Sequence, residues 1–506
     1  MIGENLLSPT DVIGHEVFVP FSVTSEAIHS ISPLMVDWGT ALGDAISLFG
    51  WFAISLYVLI NGLYFVIHTA ALPRLQTEHR LSEWKEQYDA MESKFMPGVA
   101  VVVPAYNEAE VILDSVRASI ALGYSDRETI VVNDGSKDET LAVLIDEFDM
   151  QLMPVECPVD FPTEPVRGIY RSTTYPDLYV IDKENGGRSD AVNAGVWFTN
   201  QELFCTIDAD TILDQTGLTE VIKPFSRNWG NVIAAGGTVR VANGTRVKEG
   251  KILEPEFPDK FLPGVQVLEY LRSFYSGRIG LDTLESLIIL SGAFGVFRTD
   301  LVREIGGYRN DTLTEDLDLV IRLHKEMIES DEEYEVSFVP APVAWTEVPE
   351  QFSTFISQRR RWYNGLIENL ITHRQMLFNP RYGMIGLFAL PFFLIAEAIG
   401  PLIEGIGYVL LPIAVLLGLF EPTSFLLFFT VTSGFGIFLS WYATYGEVWT
   451  FRRYRKVTQV VQLLVLGVLE NIGYRQLRTF IKLTGLIQFV RGTTEWGEMV
   501  RKGFDD

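Results

Sequence analysis

Cysteine is nearly absent: Cys157 and Cys205 are the only two in 506 residues. Cys205 stands in an apolar run, where a thiol behaves as a small buried hydrophobe. No structural disulfide is expected, which suits a reducing compartment. Lysine is also scarce, with 12 against 28 arginines, and the formal net charge is −25. Nucleic-acid-binding domains are ordinarily basic, so that class is disfavoured. An acidic, lysine-poor surface suits high ionic strength, where self-repulsion is screened. No cleavable leader is read, because the first apolar run begins too late and is too long. Internal repeats and low-complexity tracts are lacking as well.

Apolar residues, in contrast, are abundant: 48% of the chain, with a mean hydropathy of +0.18. They concentrate in two stretches. Ala45–Leu72 holds no Asp, Glu, Lys or Arg and is long enough to cross a bilayer with some tilt. Pro73 and Arg74 end it, and His79, Arg80 and Lys85 follow, which favours a cytoplasmic location for what comes next. The second stretch runs from Gly383 to about Tyr474. Pro401, Glu421-Pro422 and Arg452–Lys456 divide it into expected helices at 383–400, 402–420, 424–446 and 457–474. An amphipathic stretch at 476–490, with Arg478 and Lys482, suits the membrane interface.

The expected organisation is therefore an extracytoplasmic segment (1–44), a transmembrane helix (45–73), a cytoplasmic domain (74–380), a membrane bundle (381–475) and an interfacial helix with a tail (476–506). Four crossings in the bundle would put the Arg452–Lys456 loop outside, against the positive-inside rule. A single passage over 383–420, buried in protein around Glu397, Pro401 and Glu404, would keep it inside.

The middle of the chain reads as an α/β domain. Val99–Val103, Thr129–Val132, Leu178–Ile181 and Leu203–Ile207 are short apolar runs suited to buried strands. Val111, Ile112, Ser115, Val116 and Ile120 mark a helix between the first two. Such alternation predicts a mostly parallel sheet with helices on both faces and ligands at the strands' carboxyl ends. Met150–Asp177, rich in proline, reads as an irregular surface insertion.

The polar residues that stand out do follow the strands. Tyr106 and Glu108 come after the first, and Asp134-Gly135 after the second. They read as turn formers or as contacts to a nucleobase. Lys183 and Arg188 flank Gly186-Gly187, an arrangement that suits a diphosphate at a helix start or a plain turn. Asp208-Ala209-Asp210 ends an apolar strand. Two carboxylates at i, i+2 on an extended strand share a face and repel unless a cation such as Mg²⁺ or Mn²⁺ lies between them. Thr314-Glu315-Asp316 precedes an apolar helix and follows the small-residue turn Ser291–Gly295. Asp316 reads as a helix cap or as a general base. Gln358-Arg359-Arg360-Arg361-Trp362 reads as a juxtamembrane basic belt, or as Arg361 holding a diphosphate with Trp362 under a sugar ring.

Together these residues resemble the processive family 2 glycosyltransferases: the cellulose, chitin and hyaluronan synthases and the bacterial poly-N-acetylglucosamine synthases. Four elements fall in that family's order between about Gly98 and Arg374: Asp134, the Asp208/Asp210 pair, Thr-Glu-Asp, and Gln-x-x-Arg-Trp. The resemblance implies a GT-A-like nucleotide-sugar domain with Tyr106, Glu108 and Asp134 on the uridine. Asp208 and Asp210 would hold a metal and the diphosphate, and Asp316 would be the base. Gln358, Arg361 and Trp362, with Glu315 nearby, would bind the diphosphate and acceptor. It further implies a UDP-sugar donor, a polysaccharide or glycolipid acceptor, inversion at the anomeric carbon, and a multi-pass protein of the plasma membrane. A single membrane helix before the domain, no cyclic-dinucleotide-binding extension, and the long proline-rich insertion depart from the pattern. Two competing readings are transfer of one sugar to a lipid, and a transporter or receptor in which Glu397 and Glu404 mark a transport path. Arg359 and Arg360 are expected to serve only the membrane surface.

Overall fold

The computed structural model of the chain describes residues 33–82, 96–154, 162–248, 251–254, 256–419, 422–450, 454 and 456–492. Cys157, most of the 1–44 segment, the arginines of the basic loop and the tail from 493 lie outside the described residues.

A ten-stranded sheet in the order β3-β4-β5-β2-β1-β6-β11-β8-β12-β7 carries the polar residues. Its centre is built from β1 (Val99–Ala105), β2 (Arg127–Asp134), β5 (Leu178–Lys183) and β6 (Leu203–Ile207), all parallel. Every residue of β1 and β6 is buried, as expected of strands covered on both faces. The pairing Val103↔Val131 and Val131↔Val180 keeps the carboxyl ends of three strands level, and Val102↔Thr206 brings in the fourth. β11 (Phe294–Arg298) is antiparallel to β6, β8 (Val232–Val241) is antiparallel to β11, and β12 (Glu335–Thr346) is parallel to β8. β7 (Thr211–Leu213) closes one edge, and β9 (Arg246–Lys248) and β10 (Lys251–Glu254) form a separate antiparallel pair.

The region read as an irregular insertion is in part sheet. β3 (Met150–Leu152) and β4 (Val166–Ser172) extend the other edge, antiparallel through β4 onto β5. Burial along β4 does not alternate cleanly, with Ile169 and Ser172 buried, Tyr170 half-buried and Arg171 exposed, so the period-two signal of a strand is weak beside the prolines.

Helices flank the sheet in chain order. α1 (Pro33–Ala70) and α2 (Leu72–Ser82) precede it. α3 (Ile112–Ile120), α4 (Thr140–Glu147), α5 (Arg188–Phe198) and α6 (Gly217–Arg227) connect its strands. α7 (Phe261–Tyr270) continues as a π-helical stretch, Leu271–Arg278, and ends in α8 (Ile279–Thr283). α9 (Thr299–Glu304) and α10 (Glu315–Glu329) lead to β12, and α11 (Phe352–Thr372) follows it. One hydrophobic cluster joins Leu317 and Ile321 of α10, Leu370 of α11 and Ile385, so α10 and α11 are packed together.

Three helices among the described residues are long and apolar enough to cross a membrane: Ala41–Thr77, Ile385–Leu416 and Val457–Arg491. A further helix, α13 (Pro422–Thr450), has 29 residues. Residues 383–420, read as two helices parted at Pro401, contain instead one run, α12 (Ile385–Leu416). Pro401 is the second residue of an α-helical segment that directly follows a π-helical stretch, Phe393–Ile399. The looser π register relieves the clash that would otherwise break the helix. The break near 475 does occur, as non-helical backbone at Ile472 and Gly473 between α14 (Val457–Leu469) and α15 (Arg475–Arg491).

By contacts the chain divides into two units. Met1–Val58 with Ile403–Gly434 form one, in which Ile46, Ala414 and Leu419 make a small apolar cluster. Leu59–Leu402 with Phe435–Asp506 form the other. Within this second unit, Arg240 at the end of β8 pairs with Glu447 of α13 at 2.7 Å, both side chains almost fully buried. Removing one partner leaves an uncompensated buried charge. Glu447→Gln should cost roughly 3–5 kcal/mol of stability, seen as a lowered thermal unfolding midpoint in detergent. Replacing both, Arg240→Met with Glu447→Leu, should recover most of it.

Candidate functional site

The carboxyl ends of β1, β2, β5 and β6 lie along one sheet edge, and the loops leaving them are tied together. Asn107 sits in the left-handed region (φ 57°), which Asn tolerates better than most residues. Its backbone N–H donates to Ser136 Oγ at 3.0 Å, and Lys137 N–H donates to its side-chain oxygen at 2.8 Å. Glu108 N–H donates to Thr140 Oγ1 at 2.9 Å. Tyr106 is left with its ring 42% exposed at the rim.

Asp134 is buried and accepts on both oxygens. Oδ1 takes Lys183 Nζ at 2.7 Å and Gly186 N–H at 2.9 Å; Oδ2 takes Gly187 N–H at 2.8 Å and Asn185 Nδ2 at 3.1 Å. The carboxylate thereby fixes the Gly-Gly turn that opens α5, where Gly187 adopts φ 89° and only glycine is unstrained. Lys183, expected to meet a diphosphate, does not reach the surface. Its side chain is fully buried, with its ammonium between Asp134 and Asp190 at 2.7 and 2.5 Å. A cation at the end of a central strand is easily read as a ligand contact, but burial turns it into a brace.

Arg188, the first residue of α5, points across the edge. Nε donates to Asp208 Oδ1 at 2.9 Å, Nη1 to Glu315 Oε1 at 2.7 Å, and Nη2 to the Gly292 carbonyl at 2.5 Å. Burial lowers its basicity, but Asp208 and then Glu315 more than reverse that and raise it above the ordinary value. Glu315 is thus buried and holds Arg188, which corrects its assignment to the acceptor. The Asp208–Asp210 pair lies on the turn between β6 and β7, with Thr211 N–H closing onto the Asp208 carbonyl at 2.9 Å, rather than on extended strand. Asp208 is half-buried and Asp210 buried. The donor chemistry, two hard carboxylates, fits Mg²⁺ or Mn²⁺. No group of three or more His, Cys, Asp or Glu is arranged for a metal among the described residues, so other ligands would fall to the diphosphate and water.

Asp316 lies at the start of α10, where its Oδ1 accepts Leu317 N–H at 2.9 Å. Burial, then the adjacent Glu315, push its carboxyl up to about 6, against Arg188, the Leu317 N–H and Arg278. Thr314 does not cap the helix through its side chain. Its hydroxyl accepts from Asn369 Nδ2 of α11 at 3.0 Å. This contact needs Gly365, because a Cβ there would lie 2.4 Å from Thr314 Oγ1.

The Gln358–Trp362 run occupies α11, where successive residues point about 100° apart. Trp362 is 39% exposed, and Gln358 and Arg361 are half-buried. Arg359, expected to serve the membrane surface, is buried. Nη2 donates to Glu269 Oε2 of α7 at 2.6 Å, and the guanidinium lies 4.2 Å from the Trp362 ring centre. Glu269 also pairs with Arg478 of α15 at 2.7 Å. Burial opposes ionisation of Glu269, but Arg359, Arg478 and Arg272 hold it below the usual range. Arg360 turns away and donates to Thr484 Oγ1 at 3.1 Å. Helical spacing alone could have separated the three arginines; the partner Glu269, ninety residues away, carried no local signal.

The chain is similar to known proteins over its central part. Residues 97–365, more than half of the chain, match the family described as glycosyltransferase like family 2, and residues 312–435 match the one described as chitin synthase. A poly-beta-1,6-N-acetyl-D-glucosamine synthase of Staphylococcus epidermidis is 24% identical over 318 residues, 63% of this chain and 64% of that protein. One from Staphylococcus aureus (strain COL) is 25% identical over 277 residues, 54% of this chain and 56% of that protein. The chain spans less than two thirds of the length of these relatives. Among solved structures, a mannosyltransferase from Pyrobaculum calidifontis in complex with GDP-Man and Mn²⁺ is 15% identical, with a TM-score of 0.49, covering 84% of this chain and 99% of that one.

The buried Arg359 reverses the expectation for its substitution. Arg359→Lys loses the planar fork on Glu269 and the stacking on Trp362. It should lower product synthesis at least roughly ten-fold, whereas Arg360→Lys stays near wild type. Radiolabel incorporation by the purified variants checks both.

Proposed function

The chain belongs to glycosyltransferase family 2, and we propose that it transfers a sugar from a UDP-sugar to the end of a growing β-linked polysaccharide, with inversion at the anomeric carbon. The observation that carries this is the convergence, on one sheet edge, of the Asp208–Asp210 turn, the Arg188 guanidinium and Asp316 with its carboxyl raised to about 6.

Each residue then has a task. Tyr106 lies at the rim, where its exposed ring packs on the uracil, and Asp134 shapes the turn beside it. Gly187 and the start of α5 face the diphosphate. Asp208 and Asp210 would hold a divalent cation, which when bound supplies charge to stabilise the leaving UDP. Asp316 accepts the proton of the acceptor hydroxyl as that oxygen attacks the anomeric carbon and the bond to UDP breaks. A carboxyl near 6 is mostly ionised at neutral pH yet basic enough to help. Trp362, held from behind by Arg359, offers a flat face to the acceptor sugar, and Gln358 and Arg361 stand beside it. The polymer is favoured over a single transfer by this braced ring and by the relatives named as poly-N-acetylglucosamine synthases, which make UDP-N-acetylglucosamine the first donor to try. The catalytic domain faces the cytoplasm, where nucleotide sugars are made. The product leaves through the apolar helices of a multi-pass plasma-membrane protein.

Chelation of divalent cations should stop transfer, and Mg²⁺ or Mn²⁺ should restore it. Asp208→Asn and Asp210→Asn should each lose all but a trace of activity while keeping the circular dichroism of the wild type. Full activity of both variants in chelator would remove the metal from the mechanism.

The pH profile gives a separate check. The base works ionised, so kcat/KM should rise with pH, reach half its plateau near pH 6, and level off above. A midpoint near 4 would mean that Asp316 is an ordinary exposed carboxylate.

A further inference from the structure

The segment Phe261–Thr283 carries a stripe that the mechanism above does not use. The rings of Tyr270 and Phe274 lie 5.3 Å apart, and the guanidinium of Arg278 lies 3.8 Å from the Phe274 ring centre. The π-helical stretch Leu271–Arg278 keeps residues four apart on one face. Glu269, beside Tyr270, holds Arg359 of α11 at 2.6 Å, and that guanidinium lies 4.2 Å from the Trp362 ring centre. Arg278 is near enough to Asp316 for their charges to interact.

Arg278 is 8% exposed, and its Nε and Nη1 have no hydrogen-bond partner. Burial lowers its basicity to about 10, with Asp316 opposing. A buried cation with empty donors is costly, and such groups persist where a ligand supplies the acceptors. Phe274 is buried beneath the guanidinium, so the ligand must bring oxygen atoms for Arg278 and an apolar face for the half-buried Tyr270 ring. A pyranose has both. A diphosphate has no apolar face, and the Asp208–Asp210 turn already serves it.

We propose that Arg278 belongs to the acceptor subsite: its free N–H groups donate to hydroxyl or amide-carbonyl oxygens of the acceptor's terminal sugar and hold the attacking hydroxyl against Asp316. This rests on the reading of Asp316 as the base and of the acceptor as a glycan. It assigns the acceptor as a neutral, oxygen-rich sugar chain seated on an aromatic–arginine wall.

The test uses the full chain in detergent, with UDP-N-acetylglucosamine as donor and a β-1,6-linked N-acetylglucosamine pentamer as acceptor probe. Donor Kd and pentamer Kd, the latter with UDP present, are read by calorimetry, and pentamer KM by product assay. Arg278→Met should raise pentamer Kd and KM roughly 10- to 100-fold, the loss expected for hydrogen bonds from a charged group, with donor Kd unchanged. Arg278→Lys should recover part of the loss, because a point charge replaces a fork. Unchanged pentamer affinity in Arg278→Met overturns the proposal, as does a donor Kd that rises in step, which marks a structural role. If Arg278→Met does not fold, Arg278→Lys decides alone: a raised pentamer Kd supports the subsite and an unchanged one overturns it. Failure of the underlying reading looks different. Asp316→Asn with full turnover removes the base, whatever the Arg278 variants do. A wild-type protein that neither binds nor extends the pentamer removes this acceptor and Arg278's role with it.

Discussion

The reaction edge depends on one shared cation. Arg188 receives Asp208 from the end of β6, Glu315 from the start of α10, and the Gly292 carbonyl from the turn before β11. These segments are separated by 20 to 127 positions along the chain. Four carboxylates stand at this edge, those of Asp208, Asp210, Glu315 and Asp316, and like charges so placed repel strongly where water is excluded. One guanidinium with a planar fork satisfies two of them at once and still reaches a backbone carbonyl. Burial, then the charge of the adjacent Glu315, raises the proton affinity of Asp316, and Arg188 opposes both.

A second constraint links that chemistry to the helix carrying Trp362. Gly365 lets Thr314 lie against α11, and Asn369 donates to the Thr314 hydroxyl. Asp318, one turn inside α10, pairs with Arg322 at 2.7 Å and meets His373, just past α11, at 3.0 Å. Asp316, the proposed base, and Trp362, the proposed sugar platform, are therefore two parts of one packed body. From the other side, Glu269 holds Arg359 and Arg478, so α7, α11 and α15 meet on a single carboxylate beneath Trp362. Position along this body sets where an acceptor's last sugar sits relative to Asp316, the kind of positioning that contributes much of the rate in transfer reactions.

How much of this was legible follows from what each feature depends on. The central strands were readable because strands buried on both faces are uninterrupted apolar runs, as Val99–Val103 and Leu203–Ile207 are. β4 was not, since its burial does not alternate along the strand and prolines stand close to it, so it looks like a loop. Asp316 and the aspartate pair could be singled out by type and position, but the pair's placement on a turn could not. Lys183 and Arg359 were misjudged for the same reason. Their burial comes from Asp134, Asp190 and Glu269, residues whose proximity only the fold creates. Arg278 left no trace in the sequence, because a lone arginine in an ordinary segment becomes informative only when its surroundings are seen to lack acceptors.

The polar residues of the apolar helices follow the same logic. Glu397 of α12, which by sequence alone could mark a transport path, is matched by Lys482 of α15 at 2.9 Å and takes the Tyr64 hydroxyl. Arg272 donates to Ser440 at 2.6 Å and pairs with Glu470. Arg240 meets Glu447. Each of these three carboxylates has a cation from a different helix or from the sheet domain, so its charge is compensated only when the helices are docked. A lone ionised group moving a solute would need to exchange partners with it. Groups already closed on one another instead fasten helices to the sheet domain. These ion pairs therefore argue for a rigid seat beneath the reaction edge, and against a carrier in which Glu397 itself binds the cargo.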